Sequence, residues 1–217
     1  MISARNIFKS FGNVEVLRGI DIDIEARAVT SVIGPSGAGK TTLLQILGSL
    51  ARPDSGSVVY DDVDISRLND AALSRFRCRN IGFVFQLHRL LPEFSLLENV
   101  AMPALIAGES KADAFARARA LLTRLELTHR ADHRPAQLSG GECQRGAVAR
   151  ALINSPKVIL ADEPTGSLDS ANRQRLHNLF FELRDELHAT FLIVTHDENL
   201  AADSDHIISM ADGRIIS

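Results

Sequence analysis

The chain has little of several residue types that mark particular protein classes. Among its 217 residues there is no tryptophan, one tyrosine and two cysteines, Cys78 and Cys143. Neither cysteine lies in a metal-binding or redox spacing, which favours a reducing, cytoplasmic setting over a disulfide-stapled secreted protein. The longest apolar runs, such as residues 191–194, are far too short to cross a bilayer. No basic stretch followed by an apolar one opens the sequence, so we expect no secretion signal.

A strong excess of either charge is also lacking. The 24 basic residues face 27 acidic ones, which gives a formal net charge of −3. We therefore expect no nucleic acid as the main partner. Apolar residues make up 45% and charged residues 24%, as is usual for a soluble globular protein. A chain of this length fits one α/β domain, with or without a smaller subdomain.

A glycine-rich stretch, GPSGAGKT at residues 34–41, organises the rest of the chain. It follows the apolar run 29–33, predicted to be a buried strand, and precedes residues 42–47, whose apolar positions have helical spacing. This is the context and the pattern of a phosphate-binding P-loop. Backbone N–H groups and the helix start would bind phosphate oxygens. Lys40 would reach the β- and γ-phosphates and Thr41 would ligate Mg²⁺.

The sequence therefore predicts that the protein binds a nucleoside triphosphate. The residues expected to contact it in this loop are Gly34, Pro35, Ser36, Gly37, Ala38, Gly39, Lys40, Thr41 and Thr42.

An acidic pair follows a second apolar run. Residues 158–161 read VILA, and Asp162 and Glu163 come next. A carboxylate at the end of a strand downstream of a P-loop is suited to hold Mg²⁺, and its neighbour to polarise the attacking water. The alternative is a strand end with two solvated acids. The P-loop upstream favours the nucleotide interpretation.

A second anion-binding pattern, LSGGE, occupies residues 138–142. Two glycines and a serine at the start of a helix expose backbone N–H groups to an anion. Because one chain needs only one cradle for a γ-phosphate, a second cradle suggests a nucleotide shared between two copies. A simple helix cap is the alternative. On the shared-nucleotide interpretation, the phosphate contacts come from Ser139, Gly140, Gly141 and Glu142.

The hydrophobic pattern predicts an alternation of strands and helices. We expect short strands over residues 2–33, with strict alternation at 20–24, and helix at 66–79, about 97–127, 144–154 and about 171–188. Residues 111–127 should place Phe115, Leu121, Leu122 and Leu125 on one apolar face. Further strands are predicted at 57–60, 81–85, 158–161 and 191–195, and a hairpin should turn at Asp212-Gly213.

This alternation predicts an α/β fold. It has a parallel-sheet nucleotide-binding core, an N-terminal antiparallel β portion and a helical subdomain at about residues 87–140.

Taken in order, these motifs resemble those of the ATP-binding subunits of ABC transporters, and the resemblance covers the whole chain. It implies one nucleotide-binding domain over residues 1–217, with a RecA-like P-loop core and with ATP and Mg²⁺ bound. Gln86 matches the Q-loop glutamine, which contacts Mg²⁺ and takes part in catalysis. Asp169 matches the D-loop aspartate and His196 the switch histidine that contacts the γ-phosphate. Phe11 lies where an aromatic ring stacks on adenine, although Phe8 is close and either ring could belong to the core.

The resemblance further implies a head-to-tail homodimer with two ATP molecules at its interface. Glu163 would act as the catalytic carboxylate, and the 138–142 segment of the other copy would contact the γ-phosphate. Two positions depart from the family pattern. Glu142 replaces the commoner glutamine, and Gly146 stands where a branched apolar residue is usual. A glycine inside a helix costs about 0.5–1 kcal/mol relative to alanine.

Residues 86–100 and 161–169 are most similar to the ATPases of lipoprotein-release and macrolide-export systems. This similarity implies a peripheral protein on the cytoplasmic face of the inner membrane, with permease subunits docking near residues 87–100. Part of that segment could instead pack on its own domain. One alternative is a cell-division ATPase that signals through a membrane partner to cell-wall hydrolases. A soluble ABC ATPase acting on ribosomes or DNA is disfavoured, because a second such domain and long coiled coils are both absent from the sequence.

Overall fold

The computed structural model describes residues 2–216. The strands and helices, in chain order, are β1 (Ile2–Phe11), β2 (Val14–Ile24), β3 (Val29–Ile33), α1 (Lys40–Leu47), β4 (Ser55–Tyr60), β5 (Val63–Asp64), α2 (Asp70–Asn80), β6 (Ile81–Phe85), α3 (Leu96–Ile106), α4 (Lys111–Arg124), α5 (Gly140–Leu152), β7 (Val158–Asp162), α6 (Ser170–Leu187), β8 (Thr190–Val194), α7 (Glu198–Ala202), β9 (His206–Ala211) and β10 (Arg214–Ile215). Short 3₁₀ turns occupy Ile65–Arg67, Thr128–Arg130 and Pro135–Gln137. Each helix between residues 2 and 216 is too short or too polar to traverse a lipid bilayer.

The chain forms two compact units. The first runs through residues up to Ser74 and from Phe180 onward, and the second is Arg75–Leu179.

The first unit contains the predicted antiparallel sheet. Its strand order is β2-β1-β4-β5, and Ile2 pairs with Ile24 across β1 and β2. In β2 the isoleucines from Ile20 to Ile24 are buried and the aspartates between them are exposed, which confirms the predicted alternation. The two strands have 10 and 11 residues and are longer than predicted. Shifts in their register let such long strands bend.

The same unit contains a parallel sheet with β3 between β8 and β9. Residues 29–32 of β3 are all buried, as expected for a strand covered on both faces. Val32 pairs with Val194, and the Thr195 amide donates to the Val32 carbonyl at 3.1 Å. The carboxyl ends of β3 and β8 therefore lie side by side. The predicted hairpin is confirmed: β10 pairs antiparallel with β9, and Asp212 and Gly213 have φ of 47° and 75°.

The second unit packs helices against the parallel pair β6 and β7. Ile81 pairs with Val158 and Phe85 with Asp162. Helix α5 contacts β6, α3 and α4. Its close approach to α3 depends on Gly146, where an added Cβ would lie 2.5 Å from the Leu96 Cδ1 atom. The packing of α5 on α3 thus explains why a glycine occupies a position that is branched in the family.

Two predicted helices have different bounds. The helix predicted at 66–79 begins at Asp70, because the Asn69 side chain accepts a hydrogen bond from the Ala72 amide and starts the helix there. The helix predicted at about 97–127 is two helices, since Gly108 has a φ of 96° and Ser110 caps α4.

The buried face of α4 also differs from the prediction. It consists of Ala114, Ala118 and Leu122, with Leu125 buried at the helix end, whereas Phe115 and Leu121 are only half-buried. The helix therefore packs through two small alanines, whereas the prediction considered only the larger apolar residues. Helix α5 begins at Gly140, four residues before the predicted start, because Ser139 caps it.

Candidate nucleotide-binding site

The glycine-rich loop of the first unit has a backbone that other residues cannot easily adopt. Gly34, Gly37 and Gly39 have φ of 147°, 83° and 97°. A Cβ on Gly34 would lie 2.1 Å from the Met210 carbonyl oxygen, and one on Gly39 would lie 2.8 Å from the Leu17 Cδ2 atom. The inner side of the loop therefore packs tightly against Met210 and Leu17. Its outer residues Pro35, Ser36 and Gly37 are exposed, so the side that faces solvent is open to a ligand.

Lys40 is the first residue of α1, and its ammonium group lies over the loop. Its Nζ donates to the carbonyl oxygens of Gly34 at 2.7 Å and Pro35 at 3.0 Å. Gly39, the N-cap residue, is left-handed and has no side chain with which to cap the helix. The start of α1 therefore combines a positive helix end with a lysine, which suits a polyanion. Thr41 is exposed and Thr42 half-buried at this helix start.

Two further predicted residues belong to this unit. His196 follows β8 and is exposed. It comes two residues after Val194, which pairs with Val32, and so it leaves the sheet beside the start of the glycine-rich loop. The Phe11 side chain is 54% exposed at the end of β1 and has the Lys9 ammonium 5.5 Å from its ring centroid. The Phe11 ring is therefore outside the core and accessible for stacking.

The acidic residues of the second unit follow β7. Because Phe85 pairs with Asp162, Gln86 and Glu163 leave neighbouring strand ends together. Glu163 has a φ of 48°, a left-handed conformation that costs a residue with a Cβ about 1–2 kcal/mol. Its carbonyl accepts a hydrogen bond from Gly166 at 3.1 Å. A sharp backbone turn, and not only its own rotamer, thus sets the direction of the Glu163 side chain.

Gln86 is held at its backbone by elements that sequence reasoning missed. The Ser167 hydroxyl donates to the Gln86 carbonyl at 3.2 Å. Two side chains of α5 also bind this part of the chain. The buried Gln144 side-chain amide donates to the Phe85 carbonyl at 2.9 Å. The Arg150 guanidinium donates to the carbonyls of His88 at 2.8 Å and Arg89 at 2.6 Å. Burial lowers the pKa of Arg150. Helix α5 therefore fixes the chain on both sides of Gln86, a tertiary arrangement without a sequence signal.

The LSGGE segment begins α5 with a capping box. The Ser139 hydroxyl accepts from the Glu142 amide at 3.2 Å, and Glu142 Oε2 accepts from the Ser139 amide at 2.7 Å. Glu142 Oε1 accepts from Arg130 Nε at 2.8 Å. The Ser139 N–H first, and the Arg130 guanidinium with it, lower the pKa of Glu142 to about 2. The Glu142 carboxylate is thus ionised and bound to its own helix start.

The predicted D-loop residue lies in the same unit. Asp169 accepts from the Asn172 amide and from Asn172 Nδ2, both at 2.8 Å, and these bonds lower its pKa. A Cβ on Gly141 would lie 2.4 Å from Asn172 Oδ1. Asn172, which the sequence analysis did not single out, therefore joins the D-loop to the LSGGE segment. Its spacing of three residues from Asp169 is a capping pattern that could have indicated it.

The segment predicted to dock membrane subunits has two parts. Leu87, Leu91 and Phe94 are exposed. Residues 96–100 are mostly buried in α3, so this part packs on its own unit. The amides of Leu96 and Leu97, the first two residues of α3, donate to the carbonyls of His133 and Ala131, both at 2.8 Å.

Residues 17–166 match the family described as ABC transporter. Over 217 residues the chain is 58% identical to the lipoprotein-releasing system ATP-binding protein LolD of Porphyromonas gingivalis, covering 100% of this chain and 99% of that protein. A relative with the same name from Myxococcus xanthus is 48% identical over 219 residues, covering 99% of this chain and 98% of the relative.

The fold is similar to that of solved ATP-binding cassettes. One is a dimeric post-hydrolysis cassette bound to ADP and Pi, with a TM-score of 0.92 and 38% identity over 100% of this chain and 97% of that one. Another is a dimeric bacterial ABC transporter cassette, with a TM-score of 0.92 and 39% identity over the same shares.

Proposed function

This chain belongs to the ABC transporter family, and on that premise we propose that it is the ATPase subunit of a system that releases lipoproteins from the inner membrane. The observation that carries the proposal is the full-length identity of 58% to a lipoprotein-releasing ATP-binding protein. Other relatives, 54% and 48% identical over almost their full length, carry the same name. They favour lipoprotein release over the cell-division alternative.

The residues of the first unit bind the nucleotide in this proposal. ATP fits the glycine-rich loop, because the outer side of the loop is open and the start of α1 offers a positive helix end to phosphate. Lys40 would exchange its two carbonyl partners for phosphate oxygens and neutralise their charge. Phe11 would stack on the adenine ring. His196 would donate to the γ-phosphate from the end of β8.

The residues of the second unit act in ATP hydrolysis. In this reaction the water oxygen bonds to the γ-phosphorus, the bond from that phosphorus to the bridging oxygen of the β-phosphate breaks, and ADP and phosphate are released. Glu163 accepts a proton from the attacking water, and its backbone turn orients the carboxylate for that role. On this unit Asp162 and Gln86 carry oxygens that would suit Mg²⁺, as does the Thr41 hydroxyl on the first unit, because Mg²⁺ prefers one or two protein oxygens together with substrate phosphates over a cage of side chains. The ion, when bound, neutralises charge on the β- and γ-phosphates.

The working unit is a homodimer in this proposal, as in the dimeric cassettes of the same fold. The start of α5, with Ser139, Gly140 and Gly141, contacts the γ-phosphate of ATP held by the second copy. ATP joins the copies because both bind it, and hydrolysis removes the contact that bridges them. We propose that the whole chain serves as one nucleotide-binding domain, with residues about 87–140 as its helical subdomain.

Membrane permease subunits complete the system. Leu87, Leu91 and Phe94 supply an exposed apolar contact close to Gln86, and we propose that the permease docks there. The chain would then lie on the cytoplasmic face of the inner membrane.

The test is to purify tagged Glu163→Gln protein from gently solubilised membranes with Mg·ATP and to identify the bound proteins. Recovery of a permease with a large periplasmic domain supports the proposal, and lipoprotein release from vesicles by the recovered complex distinguishes it from cell-wall signalling. Recovery of ribosomes or DNA-bound factors without a membrane protein would overturn it.

A further inference from the structure

An ion pair lies directly behind the LSGGE segment. Arg130 Nε donates to Glu142 Oε1 at 2.8 Å, while Oε2 accepts from the Ser139 amide at 2.7 Å. The Glu142 side chain is 14% exposed and that of Arg130 is 34% exposed. Both carboxylate oxygens are therefore engaged in a partly shielded place, where a charge interacts more strongly than in open water.

The Glu142 carboxylate lies at the start of α5 and would repel a phosphate bound there. That phosphate belongs to the proposed function, and the inference rests on it. A carboxylate in the first turn is favourable for the helix alone. A second anion at the same helix end is repelled by it. The commoner glutamine in this position would carry no charge. A chain with glutamate therefore needs a cation beside it.

We propose that Arg130 is a positioning residue that neutralises Glu142 and so allows the start of α5 to accept the γ-phosphate of ATP held by a second copy. Arginine suits the role because its guanidinium stays charged at all physiological pH values. Arg130 is itself fixed: its amide donates to the Leu127 carbonyl at 2.9 Å and its carbonyl accepts from the His133 amide at 3.0 Å.

Two histidines also face this pair. His129 Nε2 lies 4.0 Å from Glu142 Oε1, and His133 Nε2 lies 3.4 Å from Arg130 Nη1. His129 is charged only when protonated, and it is largely exposed. Arg130 is therefore the permanent counter-charge of Glu142.

The test is a double-mutant cycle in the Glu163→Gln protein, which we expect to dimerise with ATP without turning it over. Arg130→Gln, Glu142→Gln and the double variant are titrated with ATP, and dimer formation is followed by light scattering. With Glu142 present, Arg130→Gln should raise the half-saturating ATP concentration about tenfold, whereas in the Glu142→Gln background the rise should be less than about twofold. Arg119→Gln, at an exposed position of α4, is the matched control.

An equal rise in both backgrounds, or no rise in either, would overturn the inference and leave Arg130 as a residue of structure alone. If the Glu163→Gln protein itself fails to dimerise with ATP, the proposed function fails, and the inference fails with it. If the Arg130→Gln protein does not fold, the same ATP titration is carried out with Arg130→Lys in both backgrounds. Lysine keeps the charge, so its effect should stay within about threefold in either background, and a rise of about tenfold in both would overturn charge neutralisation.

Discussion

Gly141 and Asn172 lie so close together that a Cβ on the glycine would come within 2.4 Å of the asparagine Oδ1 atom. Because Asn172 donates two hydrogen bonds to Asp169, a side chain at position 141 would push the D-loop aspartate away from its present place. Gly140, in contrast, has Leu168 Cδ2 at 3.9 Å from its Cβ position as the nearest neighbour.

We therefore expect Gly141→Ala to destabilise the protein by about 1–3 kcal/mol, the usual cost of overpacking. Gly140→Ala is the matched control for stability and should be neutral or stabilising by up to about 1 kcal/mol, since alanine favours the helix. Chemical denaturation of both variants measures the difference. Equal stabilities of the two would contradict the contact.

Glu163→Gln should abolish turnover while leaving ATP bound. The amide keeps the shape of the side chain but cannot accept the proton of the attacking water, so we expect a fall in the hydrolysis rate of about 10²-fold or more. Phosphate release measures the rate, and gel filtration with Mg·ATP detects the trapped dimer. Glu182→Gln, at an exposed position of α6, is the control. Near-normal hydrolysis by Glu163→Gln would exclude Glu163 as the catalytic carboxylate.

Lys40→Ala should weaken the binding of ATP itself. Its ammonium group is placed over the glycine-rich loop by two carbonyl oxygens, and a charge-assisted bond to phosphate is worth about 1.5–3 kcal/mol, which is about tenfold or more in affinity. Isothermal titration calorimetry with ATP gives the affinity. Lys111→Ala, at an exposed position of α4, removes a lysine elsewhere and serves as control. An unchanged affinity of Lys40→Ala would exclude the phosphate role.

Phe11→Ala should reduce nucleotide affinity without unfolding the protein. The ring is 54% exposed, so its loss opens no core cavity, while base stacking on an aromatic side chain contributes about 1–3 kcal/mol. Titration with ATP should show about a fivefold weaker affinity for Phe11→Ala and a near-normal one for Phe11→Trp. Val63→Ala removes another exposed apolar side chain and is the control. A large loss of thermal stability in Phe11→Ala would instead assign the ring to packing.

Acid should destabilise the native protein in part through Glu142. The bond from the Ser139 N–H and the Arg130 guanidinium lower the pKa of this carboxyl from 4.5 to about 2. A lowered pKa in the folded state stabilises the protein above the unfolded value, and this stabilisation is lost as the pH falls through the folded value.

The stability difference between the parent protein and Glu142→Gln should therefore be constant above about pH 5 and shift in favour of the variant between about pH 4.5 and 2. Thermal unfolding across this range measures it. A difference that does not change with pH would show that the carboxylate has no stronger partners in the folded state than in the unfolded chain.

Elements marked by local signals could be predicted from the sequence. The bounds of β3 and β6 follow from apolar runs between polar residues, and the turn at Asp212-Gly213 follows from a dipeptide that tolerates positive φ. The helix predicted from residue 66 begins only at Asp70, because residues 65–67 form a 3₁₀ turn and Asn69 makes the capping bond. The sequence predicts one helix at about 97–127 where the structure has α3 and α4, because a single glycine such as Gly108 does not by itself show whether a helix ends.

The candidate site could be predicted only where its residues form contiguous motifs. The glycine-rich loop, the acidic pair and the LSGGE segment are read directly from the chain. The contacts of Arg130 with Glu142 and of Asn172 with Gly141 could not be predicted that way, because these partners are 12 and 31 residues distant and meet only in the folded unit. Only the local bonds of Asn172 to Asp169 have a spacing that the sequence shows. The sequence predicts a small cost for Gly146, whereas in the fold a Cβ at this position would lie 2.5 Å from Leu96 Cδ1, so the glycine favours the close approach of α5 to α3.

The bonds from the Leu96 and Leu97 amides to the loop at residues 131–133 have a consequence for measurement. The first amides of a helix have no partner inside that helix and exchange with solvent unless something else protects them. Here the protection comes from the loop that follows Arg130, so the exchange rates of these two amides report whether α3 and the loop remain joined. Hydrogen–deuterium exchange at these positions would therefore time any separation of α3 from that loop during a cycle of ATP binding and hydrolysis.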